Sequence, residues 1–352
     1  MPVVDLIVQP TVDPDMSVAI DRYLMRAVSR RTRNAVMRIY AVAGDVISLG
    51  RYQLAPIDAP RGAVRLMRRP SGGRTVPFGD GFVAVSLILP HRSTWFGSNP
   101  FALAPYQVLN RYVRGVLETC RIAQLPVIYP GRDCITVNRR VLGITSFETD
   151  ETGTLLFEAI IASTRDFDIL PGFMESADPD GTVRISLLEH GGISLADAMQ
   201  RVVTFADVSD LLQQGFANQF KLELVPSELL PLEWQVIEGL AAREYAPQQW
   251  IHQRRYRPDL DRRATVSVQL GVFEVFLALQ QQRFIKEAMF SGDFIADSPA
   301  IDALEAALRL VPVDGRSIET LTNEIFSDPR HFVLCIGRLR TITDAILRAA
   351  GG

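Results

Sequence analysis

Apolar residues along the chain recur with two periods, and the switches between them outline the elements. Met16, Ala19, Ile20, Leu24 and Ala27 share one face of a helix with Asp15 as its N-cap. Two strands follow, Val36–Tyr40 and Asp45–Leu49, and the second runs into the turn Gly50-Arg51-Tyr52. Val64–Met67 reads as a short strand, and Phe82–Leu89 is an unbroken apolar run of buried-strand length. Tyr106, Leu109, Val113, Val116 and Leu117 return to helical spacing before Pro126. Ile135–Val137 and Val141–Ser146 flank a tight Asn138-Arg139 turn, as a hairpin does. Leu155–Ala162 is a further buried strand. Ser194 with Asp197 forms a capping box for a helix through Val203. Pro231–Ala242 carries Trp234, Ile237 and Ala241 on one face.

The charged stretch from His252 to Pro258 marks a boundary. It separates residues 1–250 from a tail over 258–352. In the tail Val266, Val268 and Leu270 alternate with polar residues, and Glu274–Leu279 and a strand near Phe284 extend a small antiparallel sheet. A helix opens at Ser298-Pro299. Another opens at Asp328-Pro329, with Phe332, Leu339, Ile342 and Ile346 turned inward. The pattern predicts an α/β first unit, a mixed sheet flanked by helices, and a small α+β second unit.

Length and composition agree: 352 residues, 47% hydrophobic and 22% charged, suffice for two domains with ordinary cores. A net charge of −3 gives no field that draws the chain to nucleic acid or membrane. No apolar run approaches spanning length. The opening MPVVDLIVQP carries an acid and no basic flank, unlike a signal peptide. Three widely spaced cysteines, Cys120, Cys134 and Cys335, argue against a disulfide framework and predict a reducing, cytoplasmic setting. The four histidines show no metal-ligand spacing. Asp178-Pro179-Asp180-Gly181 reads as a turn rather than a calcium loop.

Two segments carry candidate chemistry. In Arg68-Arg69-Pro70-Ser71-Gly72-Gly73-Arg74, paired glycines let backbone amides approach a ligand, and the arginines offer donors to phosphate or carboxylate. The alternative is a solvated turn with incidental arginines. It is neither a Walker loop nor a dinucleotide fingerprint. In Gly131 to Gly143, Asp133 precedes a strand and Arg140 follows its hairpin. Asp133 is placed to hold Mg²⁺ on a triphosphate and Arg140 to reach the α-phosphate. The alternative is a surface hairpin with charged tips. Cys134 reads as a packed small apolar residue rather than a nucleophile, and Arg254-Arg255-Tyr256-Arg257 as a linker rather than a nucleic-acid patch.

Taken in order, these segments resemble the biotin/lipoate protein ligase family, and lipoate-protein ligases within it. The resemblance runs from the helix at Asp15–Asp21 through Ser48-Leu49-Gly50-Arg51-Tyr52-Gln53 and the arginine–glycine turn. It continues through the Asp133–Gly143 hairpin and Gly153-Thr154-Leu155-Leu156 to Phe284-Ile285 and Ser291-Gly292-Asp293-Phe294 in the tail. It implies a class II synthetase-like fold. It also implies two-step chemistry: ATP and lipoate give lipoyl-AMP and pyrophosphate, and the acyl group passes to a lysine of a carrier. That carrier would be a lipoyl domain of a 2-oxoacid dehydrogenase E2, a glycine cleavage H protein or a similar lipoate-binding protein.

By the resemblance, Arg69, Ser71, Gly72, Gly73 and Arg74 line the acyl and phosphate pocket. Asp133 sits near Mg²⁺, Gly143 lets backbone approach the acyl chain, and Arg140 occupies the place of a catalytic lysine. The chain departs from the pattern at Arg140, at Arg74 in place of a third glycine, at Phe78-Gly79 in place of His-Asp, and at Thr152 in place of a histidine. Arginine for lysine exchanges a compact charge for a planar fork. Two further readings follow: a homologue that binds without turnover, and an acyltransferase that uses a thioester donor and a cysteine.

Overall fold

The protein is described by a computed structural model that covers residues 1–57, 63–97, 99–178, 181–245 and 247–351. In chain order the elements are β1 (Val3–Val12), α1 (Pro14–Ser29), β2 (Ala35–Val42), β3 (Asp45–Leu49), β4 (Arg65–Arg68), β5 (Val76–Gly79), β6 (Phe82–Leu89), α2 (Val108–Ile122), β7 (Val127–Ile128), β8 (Cys134–Val137), β9 (Arg140–Thr149) and β10 (Leu155–Ala162). Then come α3 (Leu170–Ala177), α4 (Leu195–Met199), α5 (Phe205–Phe220), β11 (Glu223–Pro226), α6 (Pro231–Arg243) and α7 (Pro247–Ile251). The tail holds β12 (Arg262–Val268), β13 (Gly271–Gln280), β14 (Phe284–Gly292), β15 (Ile295–Ala296), α8 (Ser298–Ala307), α9 (Gly315–Ile325), β16 (Val333–Leu334) and α10 (Arg340–Gly351).

One eight-stranded sheet in the order β11-β1-β2-β6-β10-β9-β8-β7 forms the frame. β1 pairs in parallel with β11 and β2, and every other neighbour is antiparallel, so the sheet is mixed as expected. One face buries Val85, Leu87, Phe157 and Phe147 against α2 and α5. The other buries Val36, Ile88, Leu156 and Ile160 against α1 and α6. Strands covered on both faces read as continuous apolar runs, which is why β6 and β10 show at full length in the sequence. A three-stranded sheet, β4-β3-β5, stands beside the frame and carries the arginine–glycine turn between β4 and β5. The tail folds β12-β13-β14 around its own core of Phe273, Phe290, Ile301 and Ile346. Among the described residues no helix is long and apolar enough to cross a membrane.

Several element ends differ from the periodic reading, each for a capping reason. The first helix starts at Pro14 because Asp13, in extended conformation, accepts the Asp15 amide; Asp15 lies inside the first turn. Asp297 rather than Ser298 caps α8. The box at Ser194–Asp197 is present, but Gln200 in the left-handed region ends that helix at Met199, short of Val203. A second box, Thr204 with Asp207, opens the long α5, which apolar spacing did not disclose. No helix starts at Asp328: its carboxylate takes the Arg330 amide and guanidinium, the chain forms β16, and the helix begins at Arg340. Tyr106 is 68% exposed and stands outside the buried face of α2.

The charged boundary is strapped down. Arg254 is buried, donates to the Phe290 carbonyl at 2.6 Å and pairs with Glu305 at 2.7 Å. Pro179 and Asp180 lie outside the described residues; beside them, Asp178 accepts the Thr182 and Val183 amides, as a turn does.

Candidate functional site

The arginine–glycine turn is held together by its own arginines. Arg68 is fully buried and donates to the carbonyls of Gly50 (2.8 Å), Gln53 (2.7 Å) and Ile251 (2.6 Å). Burial drives its pKa well below the usual guanidinium range. Arg69 donates to Ser48, Gly72 and Arg74 carbonyls at 3.1, 2.9 and 2.6 Å. The side chain expected to face a ligand therefore shapes the loop instead. The glycines answer to close approach: a Cβ on Gly72 would lie 2.2 Å from the Phe294 carbonyl oxygen, and Gly73 has φ +88°. The Gly73 amide, expected to point at a ligand, donates to that same carbonyl at 2.7 Å.

Arg74 does not crowd the loop. It turns away to Asp133, Nε to Oδ2 at 2.8 Å, both side chains at most 7% exposed. The guanidinium thus takes one oxygen of the carboxylate expected near Mg²⁺, and Oδ1 is buried without a partner among the described residues. Among the described residues no group of three or more histidines, cysteines or acids is gathered for a metal. The Asp133 carbonyl is fixed by Thr145, which donates its amide and hydroxyl.

Arg140 opens β9 after a turn with Asn138 and Arg139 at φ 50° and 67°. Its side chain is half-exposed and reaches Asp166 only at 3.9 Å. Gly143 lies beside a register shift between β8 and β9. The backbone that approaches it is the Ile160 carbonyl, 3.2 Å from where a Cβ would sit, so its smallness serves the sheet.

Immediately after the arginine–glycine turn the chain lines a cavity of about 200 Å³, which none of the residues singled out above borders. One wall is Thr75–Pro77, directly after Arg74; another is Phe167, Asp168, Leu170 and Pro171; Ser186–Leu188 forms the third. The Arg74 guanidinium lies 3.5 Å from the Leu187 carbonyl. Asp168 accepts the Gly192 amide at 2.8 Å, and the Val141 amide donates to Gly191. The first wall thus begins where the arginine–glycine turn ends, and the start of β9 is tied by Val141 to Gly191, shortly after the Ser186–Leu188 wall.

Residues 13–217 match the family described as the lipoyl protein ligase A/B catalytic domain. The chain belongs to this family. An octanoyltransferase, LipM, from Exiguobacterium sp. is 24% identical over 267 residues, which is 68% of this chain and 95% of the relative. Among solved structures, LipL1 of P. falciparum in complex with lipoate superposes with TM-score 0.70 at 15% identity, covering 99% of this chain and 100% of that one. A bipartite lipoate protein ligase from Thermoplasma acidophilum, studied with its E2 lipoyl domain, gives 0.57 at 15% identity over 73% of this chain and 98% of that one.

For a lipoyl ligase A/B relative, the ground beneath the glycine turn is polar. Arg38, Ser86, Glu158 and Ser146 stand opposite one another across β2, β6, β10 and β9. Arg38 pairs with Asp21 at 2.8 Å, Ser86 donates to Asp21, and Ser146 donates to the Gly72 carbonyl at 2.9 Å. Burial, with the Asp21 charge beside it, pushes the Glu158 carboxyl up to about 7. Ser71 is buried here, its hydroxyl without a partner among the described residues. Charges inside otherwise apolar strands, Arg38 in AVMRIYAV and Glu158 in LLFEAIIA, were the available signal.

Two other departures have structural occupants: Phe78 packs edge-on to Tyr40, and Thr152 bonds Asp150 and Ser29. None of the cysteines is an activated thiol. Burial raises Cys134 to about 11, and Cys120 and Cys335 to about 12.

Proposed function

We propose that this family member binds a carboxylic acid of the lipoate or octanoate class in the Thr75–Leu188 cavity. It activates the acid with ATP and passes the acyl group to a lysine of a lipoyl carrier domain. The observation that carries this reading is the largely apolar cavity itself, whose Thr75–Pro77 wall follows directly on the arginine–glycine turn. An aliphatic chain fits its Val76, Pro77, Phe167 and Leu170 walls. The carboxylate attacks the α-phosphorus of ATP and pyrophosphate leaves. A lysine amine then attacks the acyl carbon, AMP leaves, and the amine proton goes to solvent. Arg140, loosely held by Asp166, is the cation with freedom to reach phosphate oxygens and stabilise their charge. Arg74 takes one oxygen of Asp133 and among the described residues no further acids, cysteines or histidines gather beside its free Oδ1, so no resident metal site is built and Mg²⁺ enters bound to ATP. Residues 1–250 act as the catalytic unit and 258–352 as the accessory unit, working in the cytoplasm. Because the Phe294 carbonyl holds the Gly73 amide, nucleotide entry at that amide requires the accessory segment to withdraw.

The thioester route is disfavoured, since an acyl-cysteine intermediate needs a thiolate and all three thiols are pushed up by burial. The closed glycine turn favours one second reading, a homologue that binds without turnover. The purified chain is incubated with ATP, Mg²⁺ and lipoate or octanoate, and products are read by mass spectrometry and pyrophosphate release. Acyl-AMP and pyrophosphate are expected. Thermal stabilisation by the acid without pyrophosphate establishes the binder, and ATP-independent acyl transfer from an octanoyl thioester overturns the adenylate.

A further inference from the structure

A second cavity, about 190 Å³, lies at the opposite end of β9 and β10 from the first. Its walls include His91, Arg92, Pro100, Phe101 and Thr149 from the large unit and Arg330 from the tail. Arg92 is the unusual member. It is only 6% exposed, yet among the described residues its guanidinium makes a single hydrogen bond, Nε to the Leu103 carbonyl at 2.7 Å. Among the described residues no carboxylate oxygen lies within 4 Å of it to form an ion pair. A buried guanidinium with no carboxylate in contact is destabilising unless an anion joins it; burial lowers its pKa, against the more distant charge of Asp297.

The rest of the cavity suits such an anion. Nδ1 of His91 is buried and has no partner among the described residues. Arg330 borders the same space from the tail; its Nε and Nη2 bond Asp328, leaving Nη1 uncommitted. Phe101 lies with its ring centroid 5.1 Å from the Arg92 guanidinium carbon, and Pro100 adjoins it. At about 190 Å³ the space falls below the roughly 300–1,000 Å³ of drug-sized sites, so the occupant is small.

We propose that this cavity binds a small organic anion, its carboxylate or phosphoryl group against Arg92 and Arg330 and its apolar body against Pro100 and Phe101. Such a ligand bridges the two units, because Arg330 belongs to one and Arg92 to the other. The site is separate from the acyl cavity, and its test does not depend on turnover.

The full-length chain without substrates is titrated with benzoate and with phenyl phosphate, and melting temperature and calorimetric affinity are recorded. Either anion is expected to raise the melting temperature in a saturable way, and the stronger of the two identifies the head group. Arg92→Gln weakens binding about tenfold or more, the loss of a charge-assisted contact. Arg330→Gln, at an exposed side chain whose hydrogen bonds reach only the neighbouring Asp328, weakens it less and keeps the test valid should Arg92→Gln not fold. Arg140→Gln, outside this cavity, leaves the shift intact. The proposal is overturned if neither anion shifts the melting temperature up to about 10 mM. Neutral benzamide acting as strongly as benzoate, or an undiminished shift in Arg330→Gln, overturns it equally.

Discussion

Arg74 and Asp133 hold each other at 2.8 Å with almost no solvent on either, so each depends on the other more than on its own hydrogen bonds. Removing one charge strands its partner in a poorly solvated place. Asp133→Asn is therefore predicted to destabilise the fold by about 3–5 kcal/mol, whereas replacing both residues with leucine is near neutral or stabilising. Urea unfolding decides this through the midpoint at unchanged m-value; a wild-type midpoint for Asp133→Asn sinks the account. At this scale the sequence was partly legible. The turn at Arg68–Arg74 stood out because paired glycines beside arginines are chemically conspicuous. What those arginines do was hidden, because their acceptors are carbonyls of Ser48 and Ile251 that only the fold brings near. Asp133 was singled out for a metal because a lone carboxylate does not reveal which cation it will meet.

Between elements, the tightest seam joins the glycine turn to the tail. The Phe294 carbonyl accepts the Gly73 amide, Gln53 donates to Asp293 at 2.6 Å, and Ser186 donates to the same carboxylate at 2.6 Å. A methyl group at Gly72 meets the Phe294 oxygen at 2.2 Å and cannot be absorbed by a rotamer change, since the obstacle is backbone. Gly72→Ala is predicted to destabilise by about 1–3 kcal/mol, as overpacking does. Amide exchange should quicken first at Gly73 and in β14 and β15, while the interior of β6 and β10 stays protected. Unchanged exchange in the tail shows that the seam is not where the units are joined. β6 and β10 were readable at full length because burial on both faces leaves an unbroken apolar run. The long α5 was not, since its start is a polar box and its apolar residues, Val208, Leu212 and Phe216, sit between acids and glutamines. The helix expected from Asp328 failed because local side-chain bonds to Arg330 outcompete helical ones there.

Across the whole molecule, two glutamates set an unusual pH response. Glu148, on β9, accepts the amide and hydroxyl of Ser298 at the start of α8, so it ties the large sheet to the tail. Burial raises its carboxyl to about 7, with Arg22, Arg51 and Ser298 opposing the rise. Glu158, beneath the glycine turn, is raised to about 7 by burial and by Asp21, against the charges of Arg69 and Arg22. A carboxyl with a raised native pKa keeps its proton in the folded chain while the unfolded chain has already released its own. Between roughly pH 4.5 and 7 the folded state therefore binds more protons, and stability falls as pH rises. Each shift corresponds to a loss on the order of 3 kcal/mol by pH 8. His91 and His252, whose pKa values burial lowers, act in the opposite direction over part of that range. The comparison that isolates the glutamates is thus wild type against Glu148→Gln and Glu158→Gln, by urea midpoint at pH 5.5 and pH 8. The wild type should lose stability across that interval more than either variant, because glutamine keeps the shape and cannot ionise. A slope that both variants share with the wild type means that neither carboxyl changes its protonation on folding, and that the buried polar row is fully ionised in the native chain.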